Sequence, residues 1–192
     1  MSLPAKSIRE LIALARAQPG ALVYGSGGSG GAGHLATEYF KLMAKINIIH
    51  IPYKRTGPEI IDLVAGQTQL VFAGVPRVSA QVRASKLRAL GVSTSTRLAV
   101  FPEVPTIAEA GVPGYEATQW YGLLAPAGTP KAVIDRLNRE LVNGLKTKHM
   151  QERLAADGSE PFASTPEEFM SFIKAEIARW APVIKAADIR AD

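Results

Sequence analysis

The sequence predicts an α/β fold in which helices cover both faces of a parallel sheet. In the first half of the chain, short apolar runs typical of buried strands alternate with stretches of helical period, and glycine or proline separates them. Strands that alternate with helices pair in parallel, because each helix carries the chain back across a face of the sheet. With 192 residues, 47% of them hydrophobic, the chain is long enough to bury a core but short for two complete domains.

The first elements are bounded by capping and breaking residues. Ser7 and Glu10 have the spacing of a capping box, and they predict a helix that Pro19 and Gly20 end. The predicted strands that follow are 21–24, 46–53, 70–73 and 87–92. The predicted helices between them lie around 35–43, from 57 to 66 with Pro58 in the first turn, and around 79–83.

The texture of the sequence changes after residue 92, where proline and glycine become frequent. This segment contains one predicted short helix, capped by Thr106 with Glu109 three residues on, and it marks a boundary or crossover between lobes. A strand at 120–125 and helices at 130–146, 148–157 and 166–180 are predicted beyond it. Because Pro182 lacks an amide hydrogen, we expect the last helix to end or kink near Ala181.

The composition argues against several classes of function. The 22 Lys and Arg residues outnumber the 17 Asp and Glu, but they are scattered, so no nucleic-acid footprint is predicted. The absence of cysteine removes disulfides and thiolate sites, and His34, His50 and His149 lack metal-ligand spacing. We expect no metal and no cofactor. The opening residues do not resemble an export signal, and no apolar run is long enough to span a membrane.

The glycine-rich segment 25–33 is the strongest candidate site, because it lies between a predicted strand and a predicted helix. Glycine lets the backbone approach a ligand closely, and unpaired amides at a helix start attract anions. The hydroxyls of Ser26 and Ser29 add hydrogen-bond donors for a carboxylate, and His34 lies one turn into the helix, where it caps the turn or touches the ligand. The alternative is a flexible linker without function.

Two enzyme classes compete for the same glycines. The segment 25–30 matches the dinucleotide-binding pattern, but no acidic residue follows at the expected distance, although Lys54 and Arg55 would suit a phosphate. Ser29 also fits a hydrolase nucleophile, with Asp135 and His149 downstream in the right order. A glycine run satisfies either pattern easily by chance, so we expect neither enzyme, and Ser29→Ala would separate a hydrolase from a binding protein.

Several phrases, taken in order, resemble the Bug or TctC-like solute receptors of the tripartite tricarboxylate transporter family. They cover nearly the whole chain, which makes the ordered set more specific than any one phrase. They are YGSGGS with HLA at 24–36, HIPYK at 50–54, DLVAGQ at 62–67, KLRAL at 86–90, FPEVPT with EAG at 101–111, and WYGL with APAGTP at 120–130.

The resemblance implies a type II periplasmic-binding-protein-like fold whose two lobes close on a small carboxylate, in the periplasm and without catalysis. Membrane transporter subunits would then receive the ligand. The family's carboxylate-binding turn maps onto Ser26, Gly28, Ser29 and Gly30. The resemblance also places three residues of neighbouring loops at the cleft: Tyr53, Lys54 and Gly74. The sequence departs from the family at Arg55, where glycine is usual, so a bulky cation enters the ligand region.

Receptors of this kind have a longer amino-terminal part than this chain. The resemblance therefore implies that 1–118 form a nearly complete second lobe, whereas 119–192 are the carboxyl-terminal part of the first lobe. We expect that remnant to expose a sheet edge and to form a homodimer or exchange strands through it. The alternative is a truncated remnant that binds no ligand.

Overall fold

The computed structural model describes residues 3–190, which form an α/β fold. The elements are α1 (Ile8–Ala17), β1 (Val23–Ser26), α2 (Ala32–Ala44), β2 (Ile49–Pro52), α3 (Thr56–Val64), β3 (Leu70–Val71), α4 (Val75–Arg83), α5 (Lys131–Leu145), α6 (Lys148–Ala156) and α7 (Pro166–Ala186). Among residues 3–190, no helix has both the length and the apolar character needed to cross a bilayer. Met1 and Ser2, on which the expectation about an export signal partly rests, lie outside the described residues.

A three-stranded parallel sheet of order β2-β1-β3 organises the first half of the chain. Val23 pairs with Ile49 and Ser26 with Pro52, while Tyr24 pairs with Leu70 on the other side of β1. The strands predicted at 21–24, 46–53 and 70–73 are therefore confirmed, although β1 lies two residues later than predicted and the other two are shorter. Right-handed crossovers in this order place α2 and α3 on opposite faces of the sheet, with β1 between them.

The core of this part forms around β1. Ser7 Oγ accepts a hydrogen bond from the Glu10 amide at 3.2 Å, which confirms the predicted cap of α1. The helix buries four apolar side chains, and the sheet and its neighbours bury larger ones completely. The buried α1 residues are Ile8, Leu11, Ile12 and Ala15, and the fully buried large residues include Tyr24, Phe40 and Ile48. Each large apolar side chain removed from water contributes roughly 1.5–3 kcal/mol to stability.

The segment from Ala84 to Gln119 is irregular, so two predictions there are wrong. In the predicted strand 87–92 only Val92 pairs, through one parallel bridge to Thr106, because no neighbouring strand offers a longer ladder. The short helix after Thr106 is a series of turns, although Thr106 and Glu109 exchange the two expected capping bonds at 2.9 and 3.1 Å. This segment instead closes the core with buried Phe101, Val104, Ile107, Val112 and Tyr115.

The chain divides into two compact units. One comprises residues up to Gln119 together with those from Val183 onward, and the other comprises Trp120–Pro182. The strand predicted at 120–125 is wrong, because the described part of the second unit contains helices only and offers no strand to pair with. Of the end or kink expected near Ala181, the end does not occur: α7 continues through Pro182 to Ala186, and Val183 just beyond the proline is buried.

Candidate functional site

Three loops meet at the carboxyl-terminal edge of the sheet because the three strands are parallel. They are the glycine-rich turn 27–31 after β1, the loop 53–55 after β2 and the loop 72–74 after β3. Since β1 is central and its neighbours are reached by crossovers in opposite directions, its end is the topological switch point of this sheet. Open parallel sheets ordinarily bind ligands at this position.

The helices that follow these loops all begin without a side-chain cap. The N-cap residues of α2, α3 and α4 are Gly31, Arg55 and Gly74, and within the described chain no side-chain hydrogen bond caps any of the three. By contrast, the Ser7 side chain caps the start of α1. Uncapped helix starts leave amide hydrogens for another acceptor, and their dipoles favour an anion.

The glycine-rich turn uses some of its amides internally and leaves others open. The Gly30 amide donates to His34 Nδ1 at 3.0 Å, and the Gly28 and Gly31 amides donate to Ser26 Oγ and the Gly28 carbonyl at 3.4 Å each. Among the described residues, the amides of Ser29, Ala32 and Gly33 have no acceptor, and neither has the Ser29 hydroxyl. The open donors therefore cluster at the start of α2, and Ser29 supplies two of them.

Ser26 and His34 point into the protein instead of toward the edge. Ser26 is 1% exposed, and its Oγ donates to the Gly28 carbonyl at 3.1 Å and lies 2.6 Å from His50 Nε2. The His34 ring stacks on His50 with centroids 3.9 Å apart, and its centroid lies 6.3 Å from that of Tyr24. Burial lowers the pKa of His34 below its usual 6.5, while the nearby Glu38 carboxylate acts in the opposite direction.

Of the two site residues predicted after β2, the Tyr53 side chain is hydrogen-bonded within the protein and the Lys54 side chain is exposed. The Tyr53 amide donates to the Ser26 carbonyl at 2.9 Å, and its hydroxyl donates to Asp62 Oδ2 at 2.7 Å. Burial and this contact with a carboxylate raise the pKa of Tyr53 to about 12. Lys54 and Arg55 are exposed beside the start of α3, so they add positive charge to the edge.

The turn after β1 and the loop after β3 are in direct contact. A methyl group added to Gly33 would lie 2.6 Å from the carbonyl oxygen of Phe72, so only glycine lets the two backbones approach this closely. Gly74, the predicted site residue of this loop, follows two residues later and is the N-cap of α4. The contact fixes the first turn of α2 against the end of β3.

A buried carboxylate lies behind the edge and was not predicted. Glu59 on α3 is 2% exposed; its Oε1 is 3.9 Å from Arg77 Nη1, and its Oε2 has no hydrogen-bond partner among the described residues. The Thr68 hydroxyl is likewise buried without a partner, and both side chains approach Gly25. Burial raises the pKa of Glu59, against the effect of Arg77.

The structure thus brings all the predicted site residues to one edge but gives them different roles. Ser29, Gly28, Gly30, Lys54 and Gly74 form its surface, while the side chains of Ser26, His34 and Tyr53 are engaged inside. Sequence reasoning missed His50 and Glu59. The period of two in β2 was the available signal for His50, since it is the register partner of buried Tyr24.

The residues expected of a serine hydrolase are divided between the two units, with Ser29 in the first. Asp135 lies on α5, where Lys131 Nζ binds both its carboxylate oxygens at 2.7 and 2.8 Å, and His149 lies on α6; both helices belong to the second unit. The two histidines of the first unit are engaged by Gly30 and Ser26. Within residues 3–190, no group of three His, Asp or Glu side chains is arranged to hold a metal ion.

The family model of the tripartite tricarboxylate transporter family receptor, TctC, matches residues 1–189. The chain belongs to this family. Protein BugT of Bordetella pertussis strain Tohama I is 38% identical over 179 residues, which cover 93% of this chain and 55% of BugT. The resemblance seen in the ordered sequence phrases is therefore confirmed.

Several solved structures share the fold of this chain. Rpa4515 of R. palustris, solved with adipate, is 39% identical with a TM-score of 0.91, and the match covers 98% of this chain and 63% of that one. MatC of Rhodopseudomonas palustris, solved with bound malate, is 27% identical with a TM-score of 0.82, covering 94% and 63%. These matches confirm the α/β periplasmic-binding-protein fold, of which this chain spans part. TctC proteins are solute-binding receptors, and the two solved relatives hold small carboxylates.

Proposed function

We propose that this chain is the carboxylate-binding part of a solute receptor for a tripartite tricarboxylate-type uptake system, and that it binds without catalysis. One observation carries the proposal: the open amides of Ser29, Ala32 and Gly33, with the Ser29 hydroxyl, gather where β1 gives way to α2. Four donors in this arrangement match the acceptor oxygens of one carboxylate group.

The surroundings of the turn favour a negative ligand further. Three uncapped helix starts direct their dipoles toward the edge, and the exposed Lys54 and Arg55 add two positive charges. Hydrogen bonds to a charged group contribute about 1.5–3 kcal/mol each when they replace water, so a few of them suffice for micromolar binding. Adipate and malate in two relatives are ligands of this chemical class.

The cellular location, the partners and the division into lobes are proposed from the family. We place the protein in the periplasm, with membrane transporter subunits as its partners, and we assign 1–118 to the second lobe and 119–192 to part of the first. The chain spans 55% of BugT, so a complete receptor of this type has a further part that would finish the site when two lobes close.

Calorimetry with adipate and malate tests the proposal, with the uncharged diamide of adipic acid as the ligand control. We expect either acid to bind and the diamide not to bind. At a ligand concentration one hundred times the Kd, the melting temperature should rise by roughly 5–10 °C, because binding the native state adds about 2.7 kcal/mol. No binding and no thermal shift with any carboxylate would favour a remnant without ligand.

Ser29→Ala is the matched variant for the site itself. It removes the one side-chain donor of the open cluster, so affinity for the acid should fall by about tenfold, or 1.4 kcal/mol. Ser95→Ala, at an exposed serine in the irregular segment, should leave affinity unchanged. Recovery of the acid unaltered after long incubation is expected, whereas turnover that Ser29→Ala abolishes would point to a hydrolase.

We also propose that this chain by itself forms a homodimer through Trp120–Pro182. The expected sheet edge is not its basis, since the described part of this unit has no strand. Its basis is exposed apolar surface: Tyr121, Leu123 and Leu124 are 83, 61 and 70% exposed. Light scattering at rising concentration should show the dimer, and Leu124→Glu should weaken it. A well-folded monomer at high concentration would contradict this part of the proposal.

A further inference from the structure

A stack of three rings lies directly beneath the glycine-rich turn. His34 from α2 faces His50 from β2 at a centroid distance of 3.9 Å and an interplanar angle of 17°, and His50 faces Tyr24 from β1 at 4.7 Å and 20°. Each histidine is tied to a different point of the turn. His34 Nδ1 accepts the amide of Gly30, and His50 Nε2 contacts the hydroxyl of Ser26.

The contact with Gly30 assigns the proton of the His34 ring. Because the Gly30 amide donates to His34 Nδ1, that nitrogen carries no proton, and the ring is neutral with its hydrogen on Nε2, 4.0 Å from Glu38 Oε1. Ser26 Oγ, which lies 2.6 Å from His50 Nε2, also contacts the carbonyl and the amide of Gly28 at 3.1 and 3.4 Å. The turn is thus held at Gly28 and at Gly30.

We propose that His34 and His50 are positioning residues that hold the turn in its ligand-binding shape, and that protonation of His34 releases the turn and weakens carboxylate binding. This inference rests on the proposed function of the turn. Gly28 and Gly30 have φ of +137° and +73°, a conformation that few contacts within the turn maintain, so external bonds decide whether it persists. The open amide of Ser29 lies between these two fixed points.

Protonation of His34 is incompatible with this geometry for a local reason. The Gly30 amide nitrogen lies 3.0 Å from Nδ1, so a hydrogen on Nδ1 would face the amide hydrogen, which turns a hydrogen bond into a repulsion. The groups that act on His34 are Glu38 and Lys41 on its own helix, Tyr24 on β1 and His50 on β2. Glu38 favours the cation, but it is already shared by the Tyr24 hydroxyl and Lys41 Nζ at 2.6 and 2.5 Å.

We expect the affinity for a carboxylate to fall in acid, opposite to the effect of a histidine that binds the anion directly. If His34 contacted the ligand directly, acid would add a positive charge and strengthen binding of an anion. With His34 as a positioning residue, acid should weaken binding. Since burial holds its pKa below 6.5, the loss should begin below that value and grow as the pH falls.

His34→Asn and His34→Leu separate these outcomes. Asparagine offers a carbonyl oxygen close to the place of Nδ1 and does not titrate, whereas leucine fills space and accepts no bond. Calorimetry with adipate from about pH 8 to about pH 5 should show wild-type affinity falling, by at most about thirtyfold since the pKa of His34 lies below 6.5. His34→Asn should keep the affinity and lose the part of the pH dependence that comes from His34. The pH dependence that remains in this variant measures the protonation of adipate itself. His34→Leu should bind weakly throughout.

Backbone amide NMR of the unliganded protein gives a readout that does not need a ligand. The Gly30 amide resonance should move with the protonation of His34 in the wild type and stay constant in His34→Asn. A Gly30 resonance that does not titrate in the wild type, or an identical pH profile of adipate binding in wild type and His34→Asn, would overturn the inference. If adipate does not bind at any pH while Gly30 still titrates, the proposed function fails and the positioning contact stands.

Discussion

Gly33→Ala tests whether the turn and the loop after β3 are truly in backbone contact. The added methyl group would lie 2.6 Å from the Phe72 carbonyl oxygen, about 0.8 Å inside the 3.4 Å at which ordinary contact begins. Neither atom is at the end of a flexible side chain, so the helix start or the strand end must move. Such overpacking costs about 1–3 kcal/mol, and the better helix propensity of alanine returns at most about 1 kcal/mol.

We therefore expect Gly33→Ala to lower the free energy of unfolding by about 1–2 kcal/mol, measured by urea denaturation followed by circular dichroism. Gly57→Ala is the matched control, because Gly57 is also the second residue of its helix and nothing lies within 4 Å of its added methyl group. That variant should be neutral or more stable than the wild type. A Gly33→Ala protein as stable as Gly57→Ala would refute the contact.

Further predictions concern the polar groups around the site. Burial raises the pKa of Glu59, so the stability linked to its protonation is present below pH 4.5 and is lost as the pH rises through the pKa of the folded protein. Glu59→Gln should therefore raise the free energy of unfolding by about 1 kcal/mol near pH 8 but not near pH 4. An equal effect at both pH values would contradict this prediction. Tyr53→Phe removes the 2.7 Å bond to Asp62 and should cost about 1 kcal/mol in urea denaturation. Ser7→Ala should lower the melting temperature through a loss of about 1 kcal/mol, whereas Ser7→Asp, which keeps a cap, should not.

The candidate site shows how far residue types alone carry a prediction. Ser26 and Ser29 are equivalent as sequence: both are serines among glycines at the end of a strand. The structure separates them, because Ser26 is the last residue of β1 and faces the half-buried His50, whereas Ser29 lies in the turn and has no partner among the described residues. Which face of a strand end is buried depends on the neighbouring strand. That strand lies elsewhere in the chain, so the sequence of the turn does not reveal it.

The elements that were predicted wrongly have a common cause. The segments 87–92 and 120–125 have the composition of strands, but a strand also needs a partner strand to which it can hydrogen-bond. Within the described residues of these two segments, only Val92 forms such a pair, through one bridge. Pro182 has the local property of a helix breaker, yet α7 continues for one more turn with Val183 buried. A partner strand or a buried contact outweighs local propensity in both directions.

The sequence by itself determined the capped helix α1, the three strands around β1, the glycine turn at the strand end and the receptor family, because periodicity, capping and ordered phrases are properties of residues close together in the chain. The tertiary structure decided which donors remain open, how His34 and His50 stack, and how closely Gly33 approaches Phe72. Those features depend on which groups meet across long separations in sequence, where hydrogen-bond pairing and packing are settled by the neighbour and not by the residue alone.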